Sequence, residues 1–293
     1  MEISKNQLNI LSNIFSPTII KELLKFDYSE KLYRILRDTD LLDSVKSKNL
    51  KSFFDYSYEL LVKNYPNEYV YKNAITNKIL LGKHNLNTSF MLNEFRANKS
   101  KVDCVVVNGT LTVYEIKTAY DNFKRLDKQL DDYKKVFEKI YVITADKHVD
   151  KLNYLKNQGI GIMRYNQNGQ ISTLFDAQSQ FESLDLGIIF DSLRQSEYTK
   201  IIKDFYGYIP DVPNTKIYLA CKELFSNLDK SKAYNEVIFH LKQRGNKQAL
   251  KDFIMKVPKS LKARAINNIL SSRERIKFLE ILERDIDHLI KKG

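Results

Sequence analysis

This sequence has few cysteines and no long apolar run. Its 293 residues include two cysteines, Cys104 and Cys221, too few for a disulfide framework and without the CxxC spacing of a metal site. No apolar run approaches the ~20 residues that a membrane helix requires, and the first residues lack the basic and then apolar pattern of a secretion signal. Repeats, low-complexity segments and zinc-finger spacings are missing as well. We therefore expect a cytoplasmic protein in a reducing compartment, with no membrane segment.

Positive charge, in contrast, is abundant. The chain has 48 Lys and Arg residues against 36 Asp and Glu residues, a formal net charge of +12. A surplus of this size favours a polyanionic partner, and nucleic acid is the first such partner to consider. The surplus is also compatible with a role in solubility alone.

The apolar pattern divides the chain into three parts. Residues 1–65 carry apolar residues at helical spacing and are predicted to form an N-terminal helical extension. Residues 66–178 are predicted to contain a helix, three strands, a helix and a strand, an order that defines a mixed α/β core. Residues 179–293 are predicted to be helical, and from His240 onward they contain 14 Lys and Arg residues against 6 Asp and Glu residues. We expect this third part to be a basic helical domain. The helical parts are the candidate surfaces for a homodimer interface or for a protein partner.

Two carboxylates interrupt the apolar strands of a predicted hairpin. Residues 102–107 and 110–116 are apolar-rich runs, and Asn108-Gly109 between them is a turn signal. Asp103 lies in the first run and Glu115 in the second. A charge inside an apolar strand is costly unless something pairs with it. A divalent cation held by both carboxylates would supply that pairing.

The length of the hairpin loop decides whether one cation can reach both carboxylates. A two-residue turn at Asn108-Gly109 would place Asp103 and Glu115 on opposite faces of the sheet, because side chains alternate along a strand. A three-residue loop with a Gly bulge would place both carboxylates and Lys117 on one face. We therefore predict an odd loop or a bulge at residues 108–110.

The residue types suit phosphodiester hydrolysis. That reaction needs a cation to neutralise charge on the phosphate and to lower the pKa of the attacking water. We predict Asp103 and Glu115 as ligands of Mg²⁺ or Mn²⁺, with the carbonyl group of Ile116 as a third ligand. Lys117 is a compact ammonium group that would position the nucleophile or stabilise the developing charge.

A further carboxylate is predicted from the strand that precedes the hairpin. Glu94 would act as a metal ligand or support a second ion, and Glu68 in the preceding helix is the alternative for the same space. The plain alternative for the hairpin itself is a solvated Asp103 and an edge-strand ion pair between Glu115 and Lys117, which would contribute little to stability.

These residues together resemble a known family. Asp103, then Glu115 with Lys117 two positions later, then Gln129 with Tyr133 on the next predicted helix are similar to the motifs of the PD-(D/E)XK nuclease superfamily. The similarity is greatest to its RecB-type branch.

The resemblance covers about residues 67–165, and residues 114–133 are also similar to small, largely uncharacterised bacterial members of that superfamily. Val102 stands where the proline that names the motif would be, which is a common departure. The resemblance implies a restriction-endonuclease-like core and a Mg²⁺- or Mn²⁺-dependent deoxyribonuclease in which Gln129 helps to order the active site. DNA is favoured because most proteins with this arrangement act on it. The resemblance does not reach the flanking helical parts, so it implies no preference for a particular structure or sequence of nucleic acid.

Basic and aromatic residues around this site are predicted to bind the substrate. Arg125, four residues before Gln129, is placed to contact phosphate, and Lys101 and Tyr133 are also assigned to the substrate. The basic C-terminal helices are predicted to add a phosphate-facing stripe. Within that stripe five residues are assigned to substrate binding: Lys247, Lys251, Lys259, Lys262 and Arg264.

Two other functions are compatible with the same residues. One is a catalytically silent nucleic-acid-binding protein that uses the nuclease fold as a platform, and the other is a nuclease that cleaves RNA. Metal dependence separates the first of these from an enzyme. His148 is open to a catalytic or substrate-contacting role, although a histidine just after a strand is more often a helix-start residue or a satisfied polar group.

Overall fold

The chain folds into two structural units. The computed structural model describes residues 3–43, 48–82, 86–245, 248–267 and 270–290, without the side chains of Asn93, Glu94 and Asn267. We call Met1–Gly82, Tyr165–Ile171 and Gln248–Gly293 the helical unit, and Lys83–Arg164 with Ser172–Lys247 the sheet unit.

The helical unit begins with short helices. They are α1 (Lys5–Ser12), α2 (Pro17–Phe26), α3 (Glu30–Asp38), α4 (Leu50–Asn64) and α5 (Glu68–Ile75), which continues into a π-helical turn, Thr76–Leu80. Ser29, Asn49 and Asn67 begin the last three of these helices, and each side chain accepts a hydrogen bond from the backbone N–H three residues later. The helices predicted for residues 1–65 and after Pro66 are therefore confirmed.

Six strands form one sheet, with neighbours in the order β1 to β6. In chain order the elements are β1 (Phe90–Ala97), β2 (Ser100–Val107), β3 (Leu111–Lys117), α6 (Leu126–Lys134), β4 (Lys139–Ala145), β5 (Gly161–Tyr165) and β6 (Ile171–Phe175). The pairs β1–β2 and β2–β3 are antiparallel, and β3–β4 is parallel. A parallel pair needs a crossover connection, which α6 provides. The protein is therefore mixed α/β, with helix, three strands, helix and strand in the predicted order.

The hairpin between β2 and β3 has the predicted odd loop. Val107 pairs with Leu111 and Cys104 pairs with Tyr114, so three residues, 108–110, lie between the paired strands. Gly109 has a φ of 111°, a conformation that favours glycine. The same register continued by one residue sets Asp103 opposite Glu115, and this confirms that the two carboxylates share a face.

Three local predictions differ from the structure. The helix predicted over about 121–139 is shorter, since α6 begins at Leu126. Residues 146–148 and 150–158 form 3₁₀ helices in place of the predicted α-helix. Strand β6 was not predicted, because none of its residues is buried and it lacks the apolar signal of a core strand.

The first part of the C-terminal segment packs in the sheet unit. Its helices are α7 (Leu186–Phe190), α8 (Gln195–Tyr206), α9 (Ile217–Ser226) and α10 (Lys230–Gln243). Buried residues of these helices form one apolar cluster with β2, β3, β4 and α6. The Tyr234 hydroxyl accepts a hydrogen bond from the Leu111 backbone N–H at 2.9 Å, and Arg244 pairs with Glu197 at 2.6 Å.

The last part of the chain returns to the helical unit. Its helices are α11 (Gln248–Lys256), α12 (Lys262–Asn267), α13 (Ser272–Leu282) and α14 (Ile286–Ile290). Lys277 and Arg284 each donate to Asp27 at 2.9 Å, and the Ser29 backbone N–H donates to the Leu289 carbonyl at 2.9 Å.

The division predicted as 1–65, 66–178 and 179–293 therefore differs from the two units. The C-terminal segment contributes helices to both units, because its apolar faces pack on elements that are distant in sequence. Among the described residues, no helix combines the length and the apolar character that crossing a membrane requires.

Candidate active site

The two hairpin carboxylates lie near each other at the end of β3. The Asp103 Oδ2 atom accepts a hydrogen bond from the Ile116 backbone N–H at 2.8 Å. This bond holds the Asp103 side chain across the hairpin, toward the strand that carries Glu115. It involves the N–H of Ile116, whereas the sequence suggested its carbonyl group as a metal ligand. Asp103 is half-buried, while Glu115 is only 2% exposed.

Glu115 is the centre of a buried polar network. Its Oε1 atom pairs with the Lys117 Nζ atom at 2.9 Å, and its Oε2 atom accepts a hydrogen bond from the Tyr133 hydroxyl at 2.7 Å. Lys117 also donates to the Gln129 side-chain oxygen at 3.0 Å, and the Gln129 amide donates to the Tyr133 hydroxyl at 3.5 Å. We call Asp103 and these four residues the polar cluster.

Burial sets the electrostatics of the polar cluster. Lys117 is 8% exposed, so its ammonium group and the Glu115 carboxylate compensate each other in a largely dry environment. Burial, together with the nearby charge of Glu115, raises the pKa of Tyr133 well above its usual range, and Asp103 adds to this effect. The phenol therefore stays protonated and acts as a hydrogen-bond donor to the carboxylate.

Two further contacts fix the polar cluster in place. The Thr144 hydroxyl on β4 donates to the Lys117 carbonyl at 2.9 Å. On α6 the buried Asp132 carboxylate accepts bonds from Asn98 and Ser100, both at 2.6 Å. This second contact ties the turn between β1 and β2 to the helix that carries Gln129. Sequence reasoning missed Asp132, because nothing local distinguishes it from its exposed neighbour and its partners lie more than 30 residues away.

The third predicted carboxylate is placed by its backbone alone. In the pairing of β1 with β2, Asn93 is opposite Cys104 and Phe95 is opposite Val102, so the backbone of Glu94 falls opposite Asp103. The Glu94 side chain lies outside the described residues. Among the side chains that the structure describes, no group of three potential metal ligands is found.

Glu68, the alternative to Glu94, lies on α5 in the helical unit and pairs with Lys72 one helical turn away at 2.5 Å. His148 is buried, packs its ring edge-on against Phe123 at 5.1 Å, and belongs to a 3₁₀ helix rather than to the start of an α-helix.

The predicted substrate-binding residues divide between the two units. Lys101 and Arg125 are exposed in the sheet unit, Lys101 on β2 and Arg125 immediately before α6. Tyr133, also assigned to the substrate, is instead fully buried with its hydroxyl on Glu115, so that assignment is wrong.

The predicted basic stripe is not a single exposed surface. Lys262 is buried and its ammonium group donates to the Ile254 and Met255 carbonyls at the end of α11, so its assignment to phosphate is wrong. Arg264 is partly buried with its guanidinium group 5.5 Å from the Tyr69 ring centre. The positions of the others are as follows: Lys259 exposed and Lys251 half-exposed in the helical unit, and Lys247 outside the described residues.

The fold and the site define a mixed α/β protein with a buried carboxylate–lysine network on the central strand β3, at the end of the sheet where β3 and β4 end. The chain belongs to the family of bacteriophage P4 protein cII, whose family model matches residues 62–276. The match spans the whole polar cluster.

One relative is protein cII of Enterobacteria phage P4, 26% identical over 150 residues. Those residues are 49% of this chain and 54% of the phage protein, so the chain spans about half the length of the curated relative that it matches. A solved protein of unknown function from Silicibacter pomeroyi is also similar, with a TM-score of 0.29 and 13% identity, covering 41% of this chain and 82% of that one. A score this low carries no argument about the fold or function.

Proposed function

We propose that this protein is a metal-dependent nuclease that hydrolyses phosphodiester bonds, with DNA as the favoured substrate and a restriction-endonuclease-like core as its scaffold. One observation carries the proposal: Glu115, Lys117, Gln129 and Tyr133 form one network of contacts. Asp103 is held beside this network by the backbone N–H of Ile116, the residue between Glu115 and Lys117. Their types and order are those that resemble the PD-(D/E)XK motifs. An edge-strand ion pair in water, the plain alternative, does not account for a Glu115 that is almost fully buried.

The donor set suits a hard divalent cation. Asp103 and Glu115 would hold Mg²⁺ or Mn²⁺, since such ions choose carboxylate oxygens, and the backbone register makes Glu94 the candidate for a third carboxylate. Each carboxylate oxygen has two lone pairs, so the bonds that Asp103 and Glu115 already accept do not exhaust their capacity. When bound, the cation neutralises charge on the phosphate and lowers the pKa of the attacking water.

Lys117 and its neighbours complete the proposed chemistry. The Lys117 ammonium group is held between Glu115 and Gln129, so its position is fixed before a substrate binds. A fixed ammonium group stabilises negative charge that develops on the phosphate without reorganisation. Tyr133 orients the Glu115 carboxylate through its hydrogen bond, and it acts as a positioning residue rather than as a substrate contact.

A catalytically silent binding protein is the second candidate. The observation in its favour is that Glu115 already has a protein partner on each of its two carboxylate oxygens, Lys117 and Tyr133. A network that is complete without a metal would serve purely as structure. The two candidates differ in metal-dependent cleavage, which only the first one requires.

The test is cleavage of single-stranded, duplex and branched DNA and of RNA, with Mg²⁺ or Mn²⁺ and with EDTA. We expect metal-dependent cleavage by the wild type that is lost in Lys117→Ala. The control is Lys128→Ala, which removes an exposed lysine of α6 outside the polar cluster and should cleave as the wild type does. If the protein cleaves RNA and none of the DNA substrates, RNA replaces DNA as the proposed substrate.

The outcome that refutes the nuclease is an absence of cleavage on every substrate while binding persists. Asp103→Ala sharpens this outcome, because it removes a charge that repels phosphate. In a nuclease this variant should lose cleavage and bind at least as tightly as the wild type. A binding platform would have no cleavage to lose.

A further inference from the structure

The loop between β3 and α6 presents an exposed aromatic ring next to the polar cluster. This loop, residues 118–125, begins directly after Lys117, and Tyr120 within it is 47% exposed. Tyr120 is three residues from Lys117. Three residues of chain span at most about 11 Å, so the Tyr120 backbone lies within that distance of the Lys117 backbone and within reach of a substrate strand bound there.

The loop backbone is held in a defined conformation. The Thr118 backbone N–H and its hydroxyl group donate to one oxygen of Asp121, at 2.8 and 2.7 Å. The Tyr120 backbone N–H donates to the Thr118 hydroxyl at 3.2 Å. At the far end of the loop, Phe123 packs against the buried His148. The exposed ring thus projects from an ordered backbone, which lowers the entropy cost of binding something against it.

The same edge of the sheet carries exposed positive charge. Strand β3 ends at this edge, as do β1 and the parallel strand β4, and the antiparallel strand β2 begins there. The exposed cations at these strand ends and in the loop are Arg96, Lys99, Lys101, Lys124, Arg125 and Lys147.

The acidic residues near this end of the sheet have hydrogen-bond or ion-pair partners within the protein. Asp121 accepts the bonds from Thr118, and Asp127 accepts a hydrogen bond from the Tyr154 hydroxyl at 2.7 Å. Asp132 is buried under the turn between β1 and β2, and Asp146 pairs with Arg164 at 3.4 Å. Bonds from neutral donors leave the charges of Asp121 and Asp127 in place. Among the described side chains, the six exposed cations still outnumber the three exposed carboxylates Asp121, Asp127 and Asp146, and this positive surplus suits a nucleic-acid backbone.

We propose that Tyr120 stacks on an unpaired base and that the edge around the polar cluster binds a single strand of nucleic acid. Stacking on an aromatic ring is open to every base, because every base has a π-face, whereas in a duplex those faces are covered by neighbouring base pairs. The inference rests on the proposed nuclease function and adds its substrate class: single strands, frayed ends or unpaired junctions.

The test is binding in EDTA, which keeps the substrate intact. Labelled oligonucleotides of about 20 nucleotides, single-stranded and duplex, in DNA and in RNA, are titrated with the full chain and followed by fluorescence anisotropy. Tyr120→Ala should weaken single-strand binding about 5- to 150-fold, the range for loss of one base–aromatic stack, and should change duplex binding much less. Tyr120→Phe keeps the ring and should bind as the wild type does.

The matched control is Tyr208→Ala, which removes another exposed tyrosine of the sheet unit, 53% exposed, outside the loop. It should leave single-strand binding unchanged. A 2-aminopurine base within the single strand reports stacking directly, since its fluorescence falls when it stacks. We expect quenching by the wild type and by Tyr120→Phe, and none by Tyr120→Ala.

Two results would overturn the inference. One is single-strand binding by Tyr120→Ala that equals the wild type. The other is a loss of binding affinity that is equal for single strand and duplex and that occurs in both Tyr120→Ala and Tyr120→Phe. Either result, with Mg²⁺-dependent cleavage intact, removes the stacking role and leaves the nuclease proposal standing. Absence of cleavage by the wild type, with Tyr120-dependent binding intact, removes the nuclease instead.

Discussion

Replacing Lys117 with methionine tests the electrostatic design of the polar cluster. The change keeps a long side chain but removes the charge that lies 2.9 Å from the Glu115 carboxylate. At an effective dielectric constant of about 20, that separation corresponds to roughly 6 kcal/mol of gross attraction. Desolvation offsets part of it, and removing one partner of a buried pair typically costs about 3–5 kcal/mol. Because Lys117 is slightly exposed, we expect a loss near the lower end, about 3 kcal/mol.

Urea unfolding in EDTA measures this loss as the difference in unfolding free energy between Lys117→Met and the wild type. Lys128→Met is the matched control, because Lys128 is exposed on α6, and it should change stability by less than about 0.5 kcal/mol. The double variant Glu115→Gln with Lys117→Met should recover much of the loss, since it removes both charges of the buried pair and leaves neither one uncompensated.

The stabilisation of the Lys117→Met variant by Mg²⁺ is a second measurement on the same protein. If Asp103 and Glu115 hold the cation, Mg²⁺ should stabilise Lys117→Met more than the wild type, because the ion then supplies the only compensating charge for Glu115. A loss below about 1 kcal/mol in EDTA, or equal stabilisation of both proteins by Mg²⁺, would refute the reasoning that a buried carboxylate here depends on a positive partner.

Three further predictions concern stability. Tyr133→Phe removes the hydrogen bond to Glu115 and should lower the unfolding free energy by about 1.5–3 kcal/mol, as urea titrations would show. Because burial and the Glu115 charge raise the pKa of Tyr133, the phenol stays protonated and this loss should be the same at every pH between about 6 and 9. Asp132→Ala should cost about 1–3 kcal/mol by leaving its donors without a partner, as thermal unfolding would show. Arg244→Ala leaves Glu197 buried without its ion partner and should cost about 3 kcal/mol at neutral pH. Burial alone would raise the pKa of Glu197, but its hydrogen bonds lower it, so the pair stabilises the fold above about pH 4.3 and the effect of Arg244→Ala should fade as the pH falls further.

The site was predictable where the physics is local. Side-chain alternation and the Asn108-Gly109 signal required an odd loop if Asp103 and Glu115 were to share a face, and the register has three loop residues. The spacing of four between Gln129 and Tyr133 on a helix placed both on one face, where both contact the site.

The sequence was less informative where contacts are long-range. Lys262 has the pattern of an exposed cation on a basic helix, yet it lies buried on the end of α11. Arg244 belongs to the same basic run, but its partner Glu197 is 47 residues away. Net charge indicates how many cations a segment has, and tertiary contacts decide which of them face a ligand. The exposed cations around the β3–α6 loop were accordingly not recognised as a group, because they come from three separate segments of the chain, around residues 96–101, 124–125 and 147.

The most direct test of the central claim is a time course of cleavage of an end-labelled single-stranded oligonucleotide by the wild type and by Asp103→Ala, purified in parallel, in Mg²⁺ and in EDTA. Asp131→Ala, which removes an exposed carboxylate of α6, serves as the control. A metal-dependent nuclease predicts shortened products from the wild type and the control in Mg²⁺ alone, and intact substrate with Asp103→Ala. Intact substrate in every lane, or equal cleavage by Asp103→Ala, would contradict the account.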